Sequence, residues 1–319
     1  MSPEKPDLES IPEDFIPEEA GSGGHPEEAK DEPGFAPRAG TLYSVAVPIG
    51  NVRDLSLHAS DLLRSVDVIA AEDTRVFREL MHKAGLAPRT SQKIVSYHGH
   101  NEDERARFLV SRLKAGDSVA VVTDAGTPGI NDPGRVVIQA AIAAGIPIVC
   151  APGASAAIAA LSVSGLRTDR FHYVGFLPRK GGRRARDIDE LADLPGTLIF
   201  YEAPHRILET LEALLETLGD RSAVLTNNLT KASERILRGR LSELARELQE
   251  SGNVRGEYTI LVSGAESSPP VLTPKVEALI DRWIERGAEP ALVRELAQEI
   301  LHVRREALYD RVLEAKKNR

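Results

Sequence analysis

Val119-Ala120-Val121-Val122-Thr123-Asp124-Ala125-Gly126-Thr127-Pro128-Gly129 is an apolar run of strand length that breaks at once into a loop of Asp, Gly and Pro. An apolar run without polar alternation predicts a strand buried on both faces, as in a parallel sheet. The layout recurs along the chain. Residues 42–47 end in Pro48-Ile49-Gly50-Asn51, residues 66–71 in Glu72-Asp73-Thr74-Arg75, residues 94–97 in His98-Gly99-His100-Asn101-Glu102, and residues 146–150 in Ala151-Pro152-Gly153-Ala154-Ser155. Helical patterns lie between, such as 101–115, so the reading is an α/β fold built of βαβ units with a mostly parallel sheet.

Working outward, a second series of strand-like runs follows at 173–177, 197–201, 223–227 and 258–262, separated by helices at 207–218 and 241–249. Residues 167–266 are therefore expected to form a second, smaller α/β domain after a first one at 41–166. Glu266-Ser267-Ser268-Pro269-Pro270 reads as a linker. Beyond it, within 267–319, three short helices are predicted at 274–286, 290–301 and 304–316, a helical extension. Residues 1–40 carry seven prolines and Gly21-Ser22-Gly23-Gly24 without apolar periodicity, and disorder is the expectation there.

The chain has 319 residues and a formal net charge of −8, an apparent objection to a nucleic-acid partner. Residues 1–40 hold eleven acids and three bases, which account for all of it, and the other 279 residues carry 37 of each. The single Cys150 excludes an intrachain disulfide and a Cys-based zinc site, and a cytoplasmic setting is the default. The N-terminus lacks the basic and apolar regions of a signal peptide. Val136 to Leu166 is a run of 31 uncharged residues, but Gly145, Pro147, Pro152 and Gly153 interrupt it, so it reads as a buried helix, strand, turn and helix rather than a membrane span.

In open α/β sheets ligands sit beyond the carboxyl ends of the strands, which is where these loops fall. No Gly-x-Gly-x-x-Gly follows the first strand and no Gly-x-x-x-x-Gly-Lys-Ser/Thr is present, so a Rossmann dinucleotide site or a P-loop is poorly supported. His98 and His100 lack a third ligand at clear spacing, and no metal is expected.

Taken together, Tyr43 to Asn51, Ala71-Glu72-Asp73-Thr74-Arg75, His100-Asn101-Glu102, Asp124 to Pro128 with Asp132-Pro133-Gly134, Pro152 to Ala156, Gly175-Phe176-Leu177-Pro178, Tyr201-Glu202-Ala203-Pro204-His205-Arg206 and Leu229-Thr230-Lys231 resemble the bacterial small-subunit ribosomal RNA (cytidine-2′-O)-methyltransferases of the tetrapyrrole methylase superfamily. The resemblance covers about residues 41–264 in unbroken order. It implies two αβα domains with an S-adenosylmethionine cleft between them, a homodimer, and methylation of the ribose 2′-oxygen of cytidine 1402 in 16S ribosomal RNA within the assembled small subunit. Carried over, the cofactor loops are Pro48, Ile49 and Gly50; Asp124, Ala125, Gly126, Thr127 and Pro128; Ser155 and Ala156; and Leu229 and Thr230. The family's Arg-Glu before Leu-Thr-Lys is replaced here by Asn227-Asn228, and its Ile-Ser-Asp-Pro-Gly by Ile130 to Gly134 with Asn131. A small-molecule methyltransferase of the superfamily and a non-catalytic ribosome-assembly factor are the alternatives.

Methyl transfer from a sulfonium to a hydroxyl is an in-line displacement, so the protein mainly positions the reactants and assists loss of the proton. Glu72, Asp73 and Lys231 are candidate bases; the competing reading pairs Glu72 and Asp73 with Arg75 or sets them as a helix cap. For RNA, Arg75 and the cluster Arg179, Lys180, Arg183, Arg184 and Arg186 are the expected phosphate contacts. Lys231, Arg235, Arg238 and Arg240 form a second basic cluster, and Arg304, Arg305, Arg311, Lys316, Lys317 and Arg319 a third. With 4% aromatics, readout would lean on shape, phosphates and a splayed target nucleotide.

Overall fold

The computed structural model describes residues 36–252, 254–265, 274–289, 291–293 and 295. The expected tail up to residue 35, the linker, most of the last two helices and the third basic cluster lie outside them.

The first sheet has five four-residue strands, β1 (Leu42–Val45), β2 (Val68–Ala71), β3 (Lys93–Ser96), β4 (Val119–Val122) and β5 (Ile148–Ala151), ordered β3-β2-β4-β1-β5 and all parallel. Every residue of β2 and β4 is buried, because helices cover both faces. Side chains alternate across a strand. Tyr43, Val45, Ile69, Ala71, Ala120 and Val122 thus meet α1 (Leu57–Ser65) and α2 (Thr74–Lys83) on one face. Leu42, Val68, Ala70, Val119 and Val121 meet α3 (Glu102–Lys114) and α4 (Arg135–Ala143) on the other.

The second sheet has six-residue strands, β6 (Phe171–Phe176), β7 (Thr197–Glu202), β8 (Ser222–Asn227), β9 (Arg235–Arg240) and β10 (Tyr258–Ser263), in the order β6-β7-β10-β8-β9. Only β6 and β7 run parallel; the other three pairings are antiparallel. Leu198, Phe200, Leu225, Ile260 and Val262 bury against α6 (Gly181–Asp189), α7 (Ile207–Leu218) and α8 (Leu241–Ser251). The opposite face, with Ile199, Val224 and Leu261, receives α5 (Ala156–Ser164), the helix that follows β5. A further helix, α9 (Pro274–Glu285), follows the linker.

Two expectations change. Residues 235–240 form a strand, not a free basic patch. Arg238 donates to the Val163 and Ser164 carbonyls at the end of α5, Arg240 to the Asp220 carbonyl, and Arg235 pairs with Glu247 at 3.7 Å. The run Arg-Ile-Leu-Arg-Gly-Arg lacks strict alternation because β9 is an edge strand, where charge is tolerated and protective. The uncharged stretch does form helix, strand and helix, yet it is not all buried: Ile142 on α4 is 64% exposed, and Ile158, Val163 and Cys150 are exposed too. For Cys150 the reason is that β5 is the outer strand of its sheet, and Ile158 and Val163 lie on the side of α5 turned away from the second sheet. Among the described residues no helix is long and apolar enough to cross a membrane.

Candidate active site

In a parallel sheet every strand delivers its carboxyl end to the same edge. Val47 and Gly126, just past β1 and β4, exchange backbone hydrogen bonds at 2.9 and 3.1 Å and set the floor of a cleft. Ile49, Ala125, Gly126, Thr127, Ser155 and Ala156 line it from this side. Phe176, Tyr201 to Pro204 and Glu257 to Thr259 of the second sheet line it from the other, enclosing about 330 Å³. That volume lies in the range of small-molecule and cofactor sites.

The second sheet's wall is rigid. The Tyr201 hydroxyl accepts from the Ala157 amide at 2.9 Å, at the start of α5. Phe176 and Tyr173 stack edge to face on the Tyr201 ring, with centroids 5.8 and 5.3 Å away. Glu202, 2% exposed, accepts from Thr210 Oγ1 at 2.6 Å and from the Ala203 amide at 2.8 Å, with Arg206 at 3.4 Å.

A groove adjoins this cleft, lined by Pro48, Ile49, Gly50, Asp124, Ala125 and Lys231 among others. Here the loops of the two sheets interlock. A Cβ on Gly50 would lie 2.6 Å from Lys231 Cγ and 2.8 Å from the Leu229 carbonyl oxygen. Only glycine permits so close an approach. Asn228 and Thr230 hold positive φ, 53° and 65°, a region in which Asn is enriched. Asn228 Nδ2 donates to Ser233, its Oδ1 accepts from the Glu257 amide, and Asn227 donates to the carbonyls of Arg255 and Glu257. The Asn227-Asn228 departure thus stitches this turn to the loop before β10.

Of the residues expected to hold cofactor, Ile49, Ala125, Gly126, Thr127, Ser155 and Ala156 wall the main cleft. Pro48, Gly50 and Asp124 wall the adjoining groove, and Thr230 a third recess with Gly50 and Lys231. Pro128 is buried behind the loop and Leu229 packs beside α5. Sequence reasoning passed over Asp132, Phe176, Tyr201 and Glu257, all of which line the cleft. For Phe176 and Tyr201 the signal was present in the Gly-Phe-Leu-Pro and Tyr-Glu-Ala-Pro blocks that close β6 and β7, and for Asp132 in Asp132-Pro133-Gly134, whereas Glu257 lies in no such block.

The acidic candidates separate by environment. Asp73 caps α2 through the Arg75 amide at 2.8 Å and pairs with the Arg75 guanidinium at 2.6 Å, contacts that hold its carboxyl well below the usual range. That is the structural role weighed against catalysis from sequence. Glu72 Oε2 accepts from the Asp124 amide at 3.1 Å, and Asp124 Oδ1 accepts from the Asp73 amide at 3.1 Å. Burial raises the carboxyls of Glu72 and Asp124. Asp132 is pushed up to about 6, by burial first and then by the charges of Glu72 and Asp124. Lys231 Nζ pairs with Glu257 at 2.7 Å. His98 and His100 stack edge to face at 6.0 Å.

The expected RNA cluster falls on α6 and the turn before it. Arg179, Lys180, Arg183 and Arg186 are exposed, as is Arg75 on α2. Arg184 is a correction. It is 6% exposed and its Nη2 meets Glu209 on α7 at 2.7 Å, because it shares the inner face of α6 with Ile188. It ties helix to helix and offers nothing to a phosphate.

A parallel sheet and a mixed sheet whose strand-end loops wall one cleft define an α/β protein with room for a small ligand between its two sheets. The chain belongs to the tetrapyrrole (corrin/porphyrin) methylases, whose family model matches residues 41–245, and it is a methyltransferase. It is 45% identical over 278 residues to ribosomal RNA small subunit methyltransferase I of Micromonospora olivasterospora, covering 86% of this chain and 87% of that protein. The protein of that name from Xylella fastidiosa is 44% identical, over 85% and 98%. Among solved structures, uroporphyrin-III C-methyltransferase from Thermus thermophilus in complex with S-adenosylhomocysteine is 24% identical, with a TM-score of 0.50 over 70% of this chain and 97% of that one.

Proposed function

We propose that this chain transfers the methyl group of S-adenosylmethionine to the ribose 2′-oxygen of cytidine 1402 in 16S ribosomal RNA, working as a homodimer on the assembled small subunit in the cytoplasm. The carrying observation is the identity of 45% and 44%, over most of both chains, to two proteins named ribosomal RNA small subunit methyltransferase I. The cleft supports the cofactor. Backbone-rich loops at Ala125 to Thr127 and Ser155-Ala156 face a wall of Phe176, Tyr201 and Tyr258, a combination suited to a purine nucleoside with a polar amino-acid tail. S-adenosylhomocysteine is named in the solved structure of the Thermus thermophilus relative in fold. The bound donor supplies an activated methyl group. The protein holds donor and hydroxyl in line, worth roughly 7–11 kcal/mol of the barrier.

Arg179 and Lys180 in the turn before α6 and Arg183 and Arg186 on its exposed side follow closely after Phe176, which lines the cleft, and favour a phosphate-rich substrate over a small molecule. Arg75 is proposed to join them from the first domain. For the dimer, the support is the apolar surface of Ile142, Ile158 and Val163 in a stretch without one charge. The test is methyl transfer from labelled cofactor to purified small subunits that lack the modification, with nucleoside mapping. Label at the 2′-oxygen of cytidine 1402 is the expected result. Cofactor binding without label in RNA favours a small-molecule substrate, and no cofactor binding favours an assembly factor.

A further inference from the structure

Three acidic residues line the main cleft: Asp132, Glu202 and Glu257. Glu202 is committed to Thr210 and Arg206, and Glu257 to Lys231. The carboxylates of Glu72 and Asp73 are likewise taken, one by the Asp124 amide and the other by Arg75. Asp132 differs. Among the described residues no hydrogen bond or ion pair reaches its carboxylate, although Asp132 is half-buried in the cleft wall. A carboxylate that gives up part of its water without a donor in return gains affinity for a proton.

The backbone holds that carboxylate in place. On one side of Asp132 the Gly129 amide donates to the Pro133 carbonyl at 3.1 Å, and the Ile130 amide to Thr127. On the other side the Gly134 amide donates to Glu102 Oε1 at 3.1 Å, which also accepts from the buried Tyr97 hydroxyl at 3.0 Å. Next to it Asn131, at a φ of 65°, lays its amide against Gly175 of β6, where a Cβ would come within 2.7 Å. The loop is therefore clamped between the two sheets with Asp132 facing the cleft.

We propose that Asp132 is the general base that takes the proton from the hydroxyl being methylated, an inference that rests on the methyl-transfer reading above. The carboxylate accepts the hydroxyl proton while the oxygen forms its bond to the methyl carbon. The carbon–sulfur bond breaks with its electron pair left on sulfur, so the sulfonium becomes a neutral thioether. Asp132 then returns the proton to water. No further reactant is needed. The groups facing Asp132 are the carboxylates of Glu72 and Asp124, with His98 beside Glu72, and the hydroxyls of Tyr173 and Tyr201 from the second sheet. Burial and the two carboxylates set its titration at about 6, where a base is ionised at neutral pH and still takes a proton readily.

The experiment combines kinetics with unfolding of the protein alone. Wild-type kcat should rise with unit slope up to about pH 6 and then level off. Asp132→Asn should lower kcat by about 10²-fold or more and abolish that limb. KM for small subunits and Kd for S-adenosylmethionine should stay within about threefold. The unfolding readout does not involve activity. The raised carboxyl makes the folded state hold more protons than the unfolded one between the ordinary carboxylate range and about 6, so ionised Asp132 costs stability above that window. Asp132→Asn should therefore gain Tm over wild type as pH rises through the window and show no gain below it. A variant that retains most of its kcat, a flat wild-type profile, or a Tm difference independent of pH each overturns the assignment. Should Asp132→Asn not fold, the wild-type profile and Asp132→Glu, expected to keep the acid limb at a reduced kcat, still decide. Wild-type protein that binds cofactor and methylates no RNA strikes the functional reading itself. Methylation by wild type with an unimpaired Asp132→Asn strikes this inference alone.

Discussion

The two sheets supply the cleft in different ways. In the first, five parallel strands of four residues, with β2 and β4 buried on both faces, send every loop to one edge, so its site residues lie largely outside its core. The second, with six-residue strands and three antiparallel pairings, splits its strand ends between two edges. Its contribution comes from residues that also hold it together: Tyr201 and Glu202 end β7, and Tyr258 opens β10. Binding and stability should be separable in the first domain and entangled in the second.

Glu202→Ala is the hardest test of that contrast. It leaves Arg206 without its buried partner, and a loss of about 3–5 kcal/mol is expected in denaturant unfolding. A loss below about 1 kcal/mol would break the comparison on the second-sheet side.

Gly50→Val sharpens the boundary between the domains. The new side chain meets Leu229 and Lys231, so cofactor affinity should fall on the order of 100-fold, about 2.7 kcal/mol, by calorimetry. The unfolding midpoint should stay near wild type, since the clash can be relieved by parting the loops rather than either core.

Asp124→Ala addresses the first sheet alone. Its carboxylate, only partly shielded from water, accepts one amide bond, and the variant should bind cofactor about tenfold more weakly, about 1.4 kcal/mol. Its stability should lie within about 0.5 kcal/mol of wild type.

The smallest effects separate the two faces of α6. Arg183→Ala should lower the salt slope of RNA binding by about 1 without changing stability. Arg184→Ala should leave the slope alone and cost roughly 1 kcal/mol, since its partner Glu209 is largely exposed. Equal slopes for both variants would remove α6 from the RNA surface.

Much of this was legible from residues alone. The runs of β1, β2 and β4 read as buried strands because they are short, mostly apolar and free of charge. The Gly, Pro and Asp clusters that follow mark the ligand edge because only such residues turn the chain so tightly after a buried strand. Strand β9 was not legible: three arginines in six residues read as a patch until Val163, Ser164 and Asp220 supply carbonyls for two of them. Arg184 was misread for the same reason, because a helix's inward face is known only once a second helix is packed on it.

The sequence by itself determined the α/β class, the order of every strand but β9 along the chain, the edge at which ligands gather and the superfamily resemblance. The first three follow from local pattern, apolar period and turn chemistry within a few residues, and the resemblance from motif blocks in unbroken order over residues 41–264. Tertiary structure alone decided that the second sheet is mixed, that Asn227 and Asn228 act as stitches, and that Asp132 is the cleft carboxylate without a partner among the described residues. These depend on which groups approach from distant parts of the chain, and whether a charged side chain is partnered or stranded is a property of its neighbours in space.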